Sequence, residues 1–168
     1  MTGGTTADLA SLPDPLPIIP VGRPLHASVR VPGSKSVANR ALVCAALADG
    51  TSVLEGDLFA DDTEAMVGVL RSVGLDVDAE VEAARLTVSG GAGTIPAATE
   101  EVDVRQSGTT ARFALPLLAL GEGSYRVTAH PQMQARPMGT TLEALRRLGA
   151  GVEEQSAVDH LPVTITGG

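Results

Sequence analysis

The chain has 168 residues, 43% of them hydrophobic and 19% charged, with only 2% aromatic and a formal net charge of -8. That length suits one domain with a tail, and the acidity argues against a general nucleic-acid or acidic-membrane surface. The few rings (Phe59, Phe113 and Tyr125, with no Trp) argue against base-stacking platforms, and no apolar run approaches the roughly 18 residues of a membrane span. Residues 1–24 read as a tail rich in Gly, Thr and Pro, without the basic start and long apolar block of a secretory signal. A cytoplasmic protein with no nucleic-acid or membrane partner is expected. The single Cys44 rules out an internal disulfide.

After the tail, strands and helices alternate, the mark of an α/β fold. Residues 26–31 alternate with period two, as a half-buried strand does, and Pro32-Gly33 breaks them. A helix is predicted from Ser36 to about Asp49, with Val37, Ala41, Leu42 and Ala45 on one face and Gly50 as its stop. Residues 51–54 read as a strand. Asp61 and Glu64 resemble a capping box opening a helix with Met66, Val69, Leu70 and Val73 as its stripe and Gly74 as its end. Residues 75–79 and 85–89 read as short strands. Ser107-Gly108-Thr109 then precedes a helix to Leu120, which Pro116 should kink or shorten. Residues 124–129 read as a strand. Arg136-Pro137 is expected to open a last helix with Leu142, Leu145 and Leu148 as its stripe and Gly149 as its end.

The second half repeats the first. Leu70-Arg71-Ser72-Val73-Gly74 matches Leu145-Arg146-Arg147-Leu148-Gly149, Ser89-Gly90-Gly91 matches Thr166-Gly167-Gly168, and 45–50 matches 118–123. Residues 25–91 and 102–168 therefore read as two copies of one α/β unit, and a fixed long period of this kind marks units that bury faces on one another.

Three turns carry candidate chemistry. In Pro32-Gly33-Ser34-Lys35-Ser36-Val37-Ala38-Asn39-Arg40, glycine permits close backbone approach and a helix start offers free N–H groups. Lys35, Ser36 and Arg40 would then cradle an anion, although a plain capped helix with solvated cations explains the same residues. The loop is not a Walker A motif, because Ser34 separates Gly33 from Lys35 and the earlier glycine is missing. Ser107-Gly108-Thr109-Thr110-Ala111-Arg112 is a second helix start, where an ordinary cap is the simpler account. Arg136, before Pro137, is placed to hold a second anionic group or is simply a surface arginine.

The duplication favours the anionic reading, because equivalent helix mouths in packed units can face one cleft and gather Lys35, Arg40, Arg112 and Arg136. Eleven of the twelve basic residues are Arg, so the single Lys35 points to a proton-transfer task that Arg cannot perform. Asp61-Asp62 is explained more simply by capping. Cys44, mid-helix in an apolar run, reads as a buried small hydrophobe. His26, His130 and His160 lack metal-like spacing, and neither a metal nor a cofactor is expected.

Pro-Gly-Ser-Lys-Ser-x-x-Asn-Arg-Ala-Leu at residues 32–42, Asp61-Asp62-Thr63, Gly108-Thr109 followed by Arg112, and Arg136-Pro137-x-Gly139 resemble the 5-enolpyruvylshikimate-3-phosphate synthase family, in that family's order. The resemblance covers about residues 20–168. It implies an inside-out α/β barrel fold assembled from βαβαββ units, here a partial domain of 25–168. It implies that Lys35 contacts both substrates and assists proton transfer, that Ser36 and Arg40 bind 3-phosphoshikimate, and that Gly108 and Arg136 bind phosphoenolpyruvate. The implied reaction moves the enolpyruvyl group of phosphoenolpyruvate to the 5-hydroxyl of 3-phosphoshikimate, in the shikimate pathway that leads to chorismate and the aromatic amino acids. A monomer is implied at full length.

The chain departs from the family at Gln106-Ser107, where Asn-Ala is usual, and it stops before the family's third unit and second domain. An inactive half-site is therefore expected of these 168 residues alone. Two alternatives stand beside this reading: an anion-binding remnant, and the sister enzyme acting on UDP-N-acetylglucosamine. The sister family has Ser-Gly-Ala-Lys-Asn at the first loop and a cysteine before its Arg-Pro. Both features are missing here.

Overall fold

The computed structural model describes residues 11, 13–29, 31–56, 59–97 and 101–167. The chain divides into two units, Met1–Val31 and Pro32–Gly168. In the first unit the strand expected at 26–31 does not form among the described residues, and Arg30 lies outside them. Alternation yields a strand only where one face is covered and the backbone is paired, whereas Val29 is 78% exposed here.

The second unit opens with helix α1 (Lys35–Leu47), followed by strand β1 (Asp49–Glu55), helix α2 (Asp61–Ser72) and strands β2 (Asp76–Glu80) and β3 (Arg85–Gly91). The three strands form an antiparallel sheet in the order β1-β3-β2. The short strand β4 (Val102–Asp103) leads to helix α3 (Gly108–Leu118), strand β5 (Ser124–Thr128), and helices α4 (Pro131–Gln134) and α5 (Gly139–Arg147). Strands β6 (Gly151–Glu154) and β7 (Val163–Thr166) complete a sheet ordered β4-β5-β7-β6, in which only β4–β5 is parallel. The run α1-β1-α2-β2-β3 returns as α3-β5-α5-β6-β7, with β4 added before it and α4 inserted, and the last strand of each half lies inside its sheet. Helices α1, α2 and α3 pack on one another, and one continuous core of Val, Leu, Ala, Ile and Met joins them to both sheets.

Local chemistry repeats with the topology. At the end of α2 the Gly74 N–H bonds to the Arg71 carbonyl and the Leu75 N–H to the Leu70 carbonyl. At the end of α5 the Gly149 N–H bonds to the Arg146 carbonyl and the Ala150 N–H to the Leu145 carbonyl. Both are Schellman endings, and Gly74 (φ +78) and Gly149 (φ +100) occupy the left-handed position that these endings require. Gly90 and Gly167 match as well. A Cβ on Gly90 would strike the Ala45 and Ala48 carbonyls at the end of α1, and one on Gly167 the Ala119 and Gly121 carbonyls at the end of α3.

Several local expectations need correction. Cys44 is exposed, because α1 buries the Ala38, Asn39, Leu42, Ala45 and Ala46 side and turns Cys44 and Val37 away from it. Gly50 lies inside β1 rather than stopping α1, and Leu148 is exposed because the helix has already ended. Pro116 lies inside α3, where it has no N–H to give the Arg112 carbonyl, and the helix ends at Leu118 rather than at the expected Leu120. Arg136-Pro137 does not open a helix. Pro131 takes the first-turn position of the extra helix α4, and Arg136-Pro137 lies in the turn before α5, whose cap residue is Met138.

Candidate functional site

The helix starts differ in charge. The first turn of α2 carries Asp61, Asp62 and Glu64, whereas the first turns of α1 and α3 carry no acidic residue. The positive ends of α1 and α3 therefore remain uncompensated by their own sequence. Ser34 and Ser107 are the respective cap residues, so Lys35 and Gly108 are the first residues of equivalent helices.

These two helix starts open on one cleft of about 580 Å³, lined by Lys35, Ser36, Arg40, Asp62, Gln106, Gly108, Thr109, Arg112, Phe113 and Arg136. Every residue expected from the motifs (Lys35, Ser36, Arg40, Gly108 and Arg136) is on that wall, together with Arg112 from the wider cationic set. Four cations face one carboxylate, in a chain whose net charge is -8. Such a local reversal of sign suits small, multiply charged anions.

The Arg40 and Arg112 guanidinium groups are held by backbone carbonyls. Arg40 Nη1 donates to the Ser36 carbonyl at 2.7 Å, and its Cζ lies 5.1 Å from the centre of the Phe113 ring. Arg112 donates to the Gly108 carbonyl at 3.2 Å and to the Pro137 carbonyl at 3.5 Å. A methyl group on Gly108 would stand 3.2 Å from Arg112 Nη1 and 3.3 Å from Arg136 Nη1. The bare α3 start is therefore flanked by two guanidinium groups.

The lone carboxylate is placed by packing. Asp62 is not the cap of α2, and neither is Asp61. The cap residue is Ala60, whose side chain makes no capping bond, so the expected capping box does not form. Instead Asp62 Oδ2 accepts from Lys35 Nζ at 3.0 Å and Oδ1 accepts from the Ser107 hydroxyl. Burial pushes its carboxyl up. The bonds from Ser107 and Lys35 and the charges of Lys35 and Arg136 outweigh that, and hold it below the ordinary 3.8. Behind it, the buried Asn39 Nδ2 donates to Thr110 Oγ1 at 3.1 Å, and Thr110 Oγ1 donates to the Asp62 carbonyl at 2.9 Å. One chain of bonds joins α1, α3 and α2.

Sequence reasoning missed Asp62 as part of this wall, and read Phe113 only as a weak stacking platform. The Asp-Asp-Thr match at 61–63 was the signal available for Asp62. Gln106 reaches the cleft rim, with Nε2 3.2 Å from His130 Nδ1.

A fold of paired α/β units with a cationic cleft at two helix mouths defines the enolpyruvyl transferase class. The family model for EPSP synthase (3-phosphoshikimate 1-carboxyvinyltransferase) matches residues 19–168, and the chain belongs to that family. It is 41% identical over 152 residues to the 3-phosphoshikimate 1-carboxyvinyltransferase of Nostoc punctiforme, covering 90% of this chain and 36% of that protein. It is 45% identical over 156 residues to the enzyme of the same name from Opitutus terrae, covering 92% of this chain and 36% of that protein. EPSP synthase from Acinetobacter baumannii superposes with a TM-score of 0.78 at 28% identity, over 83% of this chain and 32% of that one. The enolpyruvyl transferase NikO from Streptomyces tendae shares the fold, with a TM-score of 0.50 at 20% identity, over 87% of this chain and 31% of that one. The chain spans about a third of the length of these relatives.

Proposed function

We propose that this chain supplies one wall of a site that transfers the enolpyruvyl group of phosphoenolpyruvate to the 5-hydroxyl of 3-phosphoshikimate, releasing phosphate. The observation that carries this reading is the meeting of Lys35, Ser36, Arg40, Gly108 and Arg136 in one cleft, together with membership of the family. Ser36 and Arg40 take the 3-phosphate. The Gly108 backbone N–H and the Arg136 guanidinium take the carboxylate and phosphate of phosphoenolpyruvate. Lys35, between the two groups, contacts both substrates and shuttles the proton that the 5-hydroxyl loses as it adds to the alkene. Two phosphates and a carboxylate repel each other in water, so holding them together is most of the catalytic work. The organisation proposed is a tail of 1–24 and a partial domain of two repeats, 25–91 and 102–168, acting in the cytoplasm and monomeric at full length.

The chain spans about a third of the length of its relatives, which supports reading this cleft as one wall of a larger site. The isolated chain is therefore expected to bind without turnover. Calorimetry with 3-phosphoshikimate, paired with a phosphate-release assay, tests both halves of that statement. Binding lost in Lys35→Ala and Arg40→Ala, at about 1.5–3 kcal/mol per charge-assisted contact, supports the site. Wild-type-like binding in both variants refutes the site, and turnover by the isolated chain refutes the half-site account.

A further inference from the structure

Lys35 is the only lysine in the chain, and its ammonium sits on a flexible four-carbon stem with its side chain 53% exposed. Left alone, such a group samples many rotamers, and each must be given up when an anion binds. The structure supplies a strut. Asp62, on α2 and outside both motif loops, reaches Lys35 Nζ at 3.0 Å through Oδ2, with its own side chain only 19% exposed.

The carboxylate is itself aimed by Ser107. The Thr110 N–H donates to Ser107 Oγ at 3.0 Å, capping α3, and the same hydroxyl donates its proton to Asp62 Oδ1. The capping bond occupies one serine lone pair and leaves the O–H to point towards Asp62. Ser107 is buried, so water does not compete for the hydroxyl. Two functions thus meet on one atom.

We propose that Asp62 is the positioning residue of Lys35, and that Ser107 aligns the Asp62 carboxylate so that the ammonium is fixed at the cleft wall. One ammonium N–H is then committed to the strut and two remain for anions. The strut deepens the reading of the cleft as an anionic-substrate site and rests on it for its purpose. Groups facing Asp62 are Lys35 from α1, Ser107 from the α3 cap and the Arg136 charge from the turn after α4.

The test uses the 168-residue chain labelled with nitrogen-15, in which a single lysine yields a single side-chain ammonium signal. Its motional order and proton exchange are measured in wild type, Asp62→Asn, Ser107→Ala and Ser107→Thr. Exchange should speed up about fivefold in Asp62→Asn and Ser107→Ala, in proportion to the loss of one hydrogen bond, with threonine restoring the wild-type rate. Inorganic phosphate is titrated into wild type and the Ser107 variants, which leave the cleft charge unchanged; affinity should weaken severalfold in Ser107→Ala and recover in Ser107→Thr. An ammonium signal in folded Asp62→Asn identical to wild type overturns the proposal. Should the variants not fold, acid titration of the wild type decides, since ammonium order that survives protonation of Asp62 overturns it equally. Phosphate that fails to bind wild type while Lys35 still responds to Asp62 removes the substrate reading and leaves the strut. Phosphate that binds while Lys35 ignores Asp62 removes the strut alone.

Discussion

The guanidinium of Arg40 lies 5.1 Å from the centre of the Phe113 ring, and the two residues stand at the same step, six beyond the caps Ser34 and Ser107 of their helices. Equivalent positions in the two halves thus meet across the α1–α3 contact, one carrying charge and the other a ring. Phe113→Leu keeps the bulk and removes the ring face, which at an exposed site contributes about 0.5–1 kcal/mol. Phosphate affinity should fall by about two- to fivefold with at most a small drop in the unfolding midpoint, measured by calorimetry and urea denaturation. An unchanged affinity would show that the ring does not orient Arg40.

Gly108→Ala should separate binding from folding. The nearest atoms to the added methyl are the tips of Arg112 and Arg136, 3.2 Å and 3.3 Å away, and both can swing aside. Swinging aside disperses the two guanidinium groups, so anion affinity should drop roughly tenfold while stability stays within about 0.5 kcal/mol. Calorimetry beside a thermal melt reads both quantities.

How much of this could be read from the chain alone differs by element. The glycine endings at Gly74 and Gly149 and the stripe of α2 follow from local rules, because left-handed backbone and apolar spacing are short-range properties, whereas the cationic cluster is legible only through the duplication that sets equivalent helix starts side by side. Asp before a helix normally caps it, and capping is what the local sequence implies for Asp62; its actual partners, Ser107 and Lys35, are 45 and 27 residues away, and no local rule reaches that far. Cys44 and Val37 are exposed although they lie in an apolar run, because such a run says which residues are oily and not which side of a short helix finds a neighbour. Residues 26–31 carry a strand's alternation in sequence, and among the described residues no strand forms there.

The glycine pair Gly90 and Gly167 gives a direct test of structural equivalence. In each, a methyl group would meet backbone carbonyls at the end of a helix, which cannot rotate away as a side chain can. Gly90→Ala and Gly167→Ala should each cost about 1–3 kcal/mol, and by similar amounts, in urea unfolding. A large loss in one and none in the other would count against matched roles.

Asp62 sets an acid limit. Its carboxyl titrates below 3.8 in the folded chain, so its share of stability is complete above that value and disappears as pH falls through the lower folded value. Unfolding midpoints followed from about pH 5 downward should show this loss in wild type and not in Asp62→Asn. Parallel curves for the two proteins would contradict the assignment.

The bonds from Asn39 to Thr110 and from Thr110 to the Asp62 carbonyl make the floor of the cleft behave as a single casting. A shift of any one helix has to drag the other two, so this wall offers a ligand little give. Adjustment to the shape of a bound molecule is left to the long cationic side chains above that floor and to whatever part of a full-length protein closes over it.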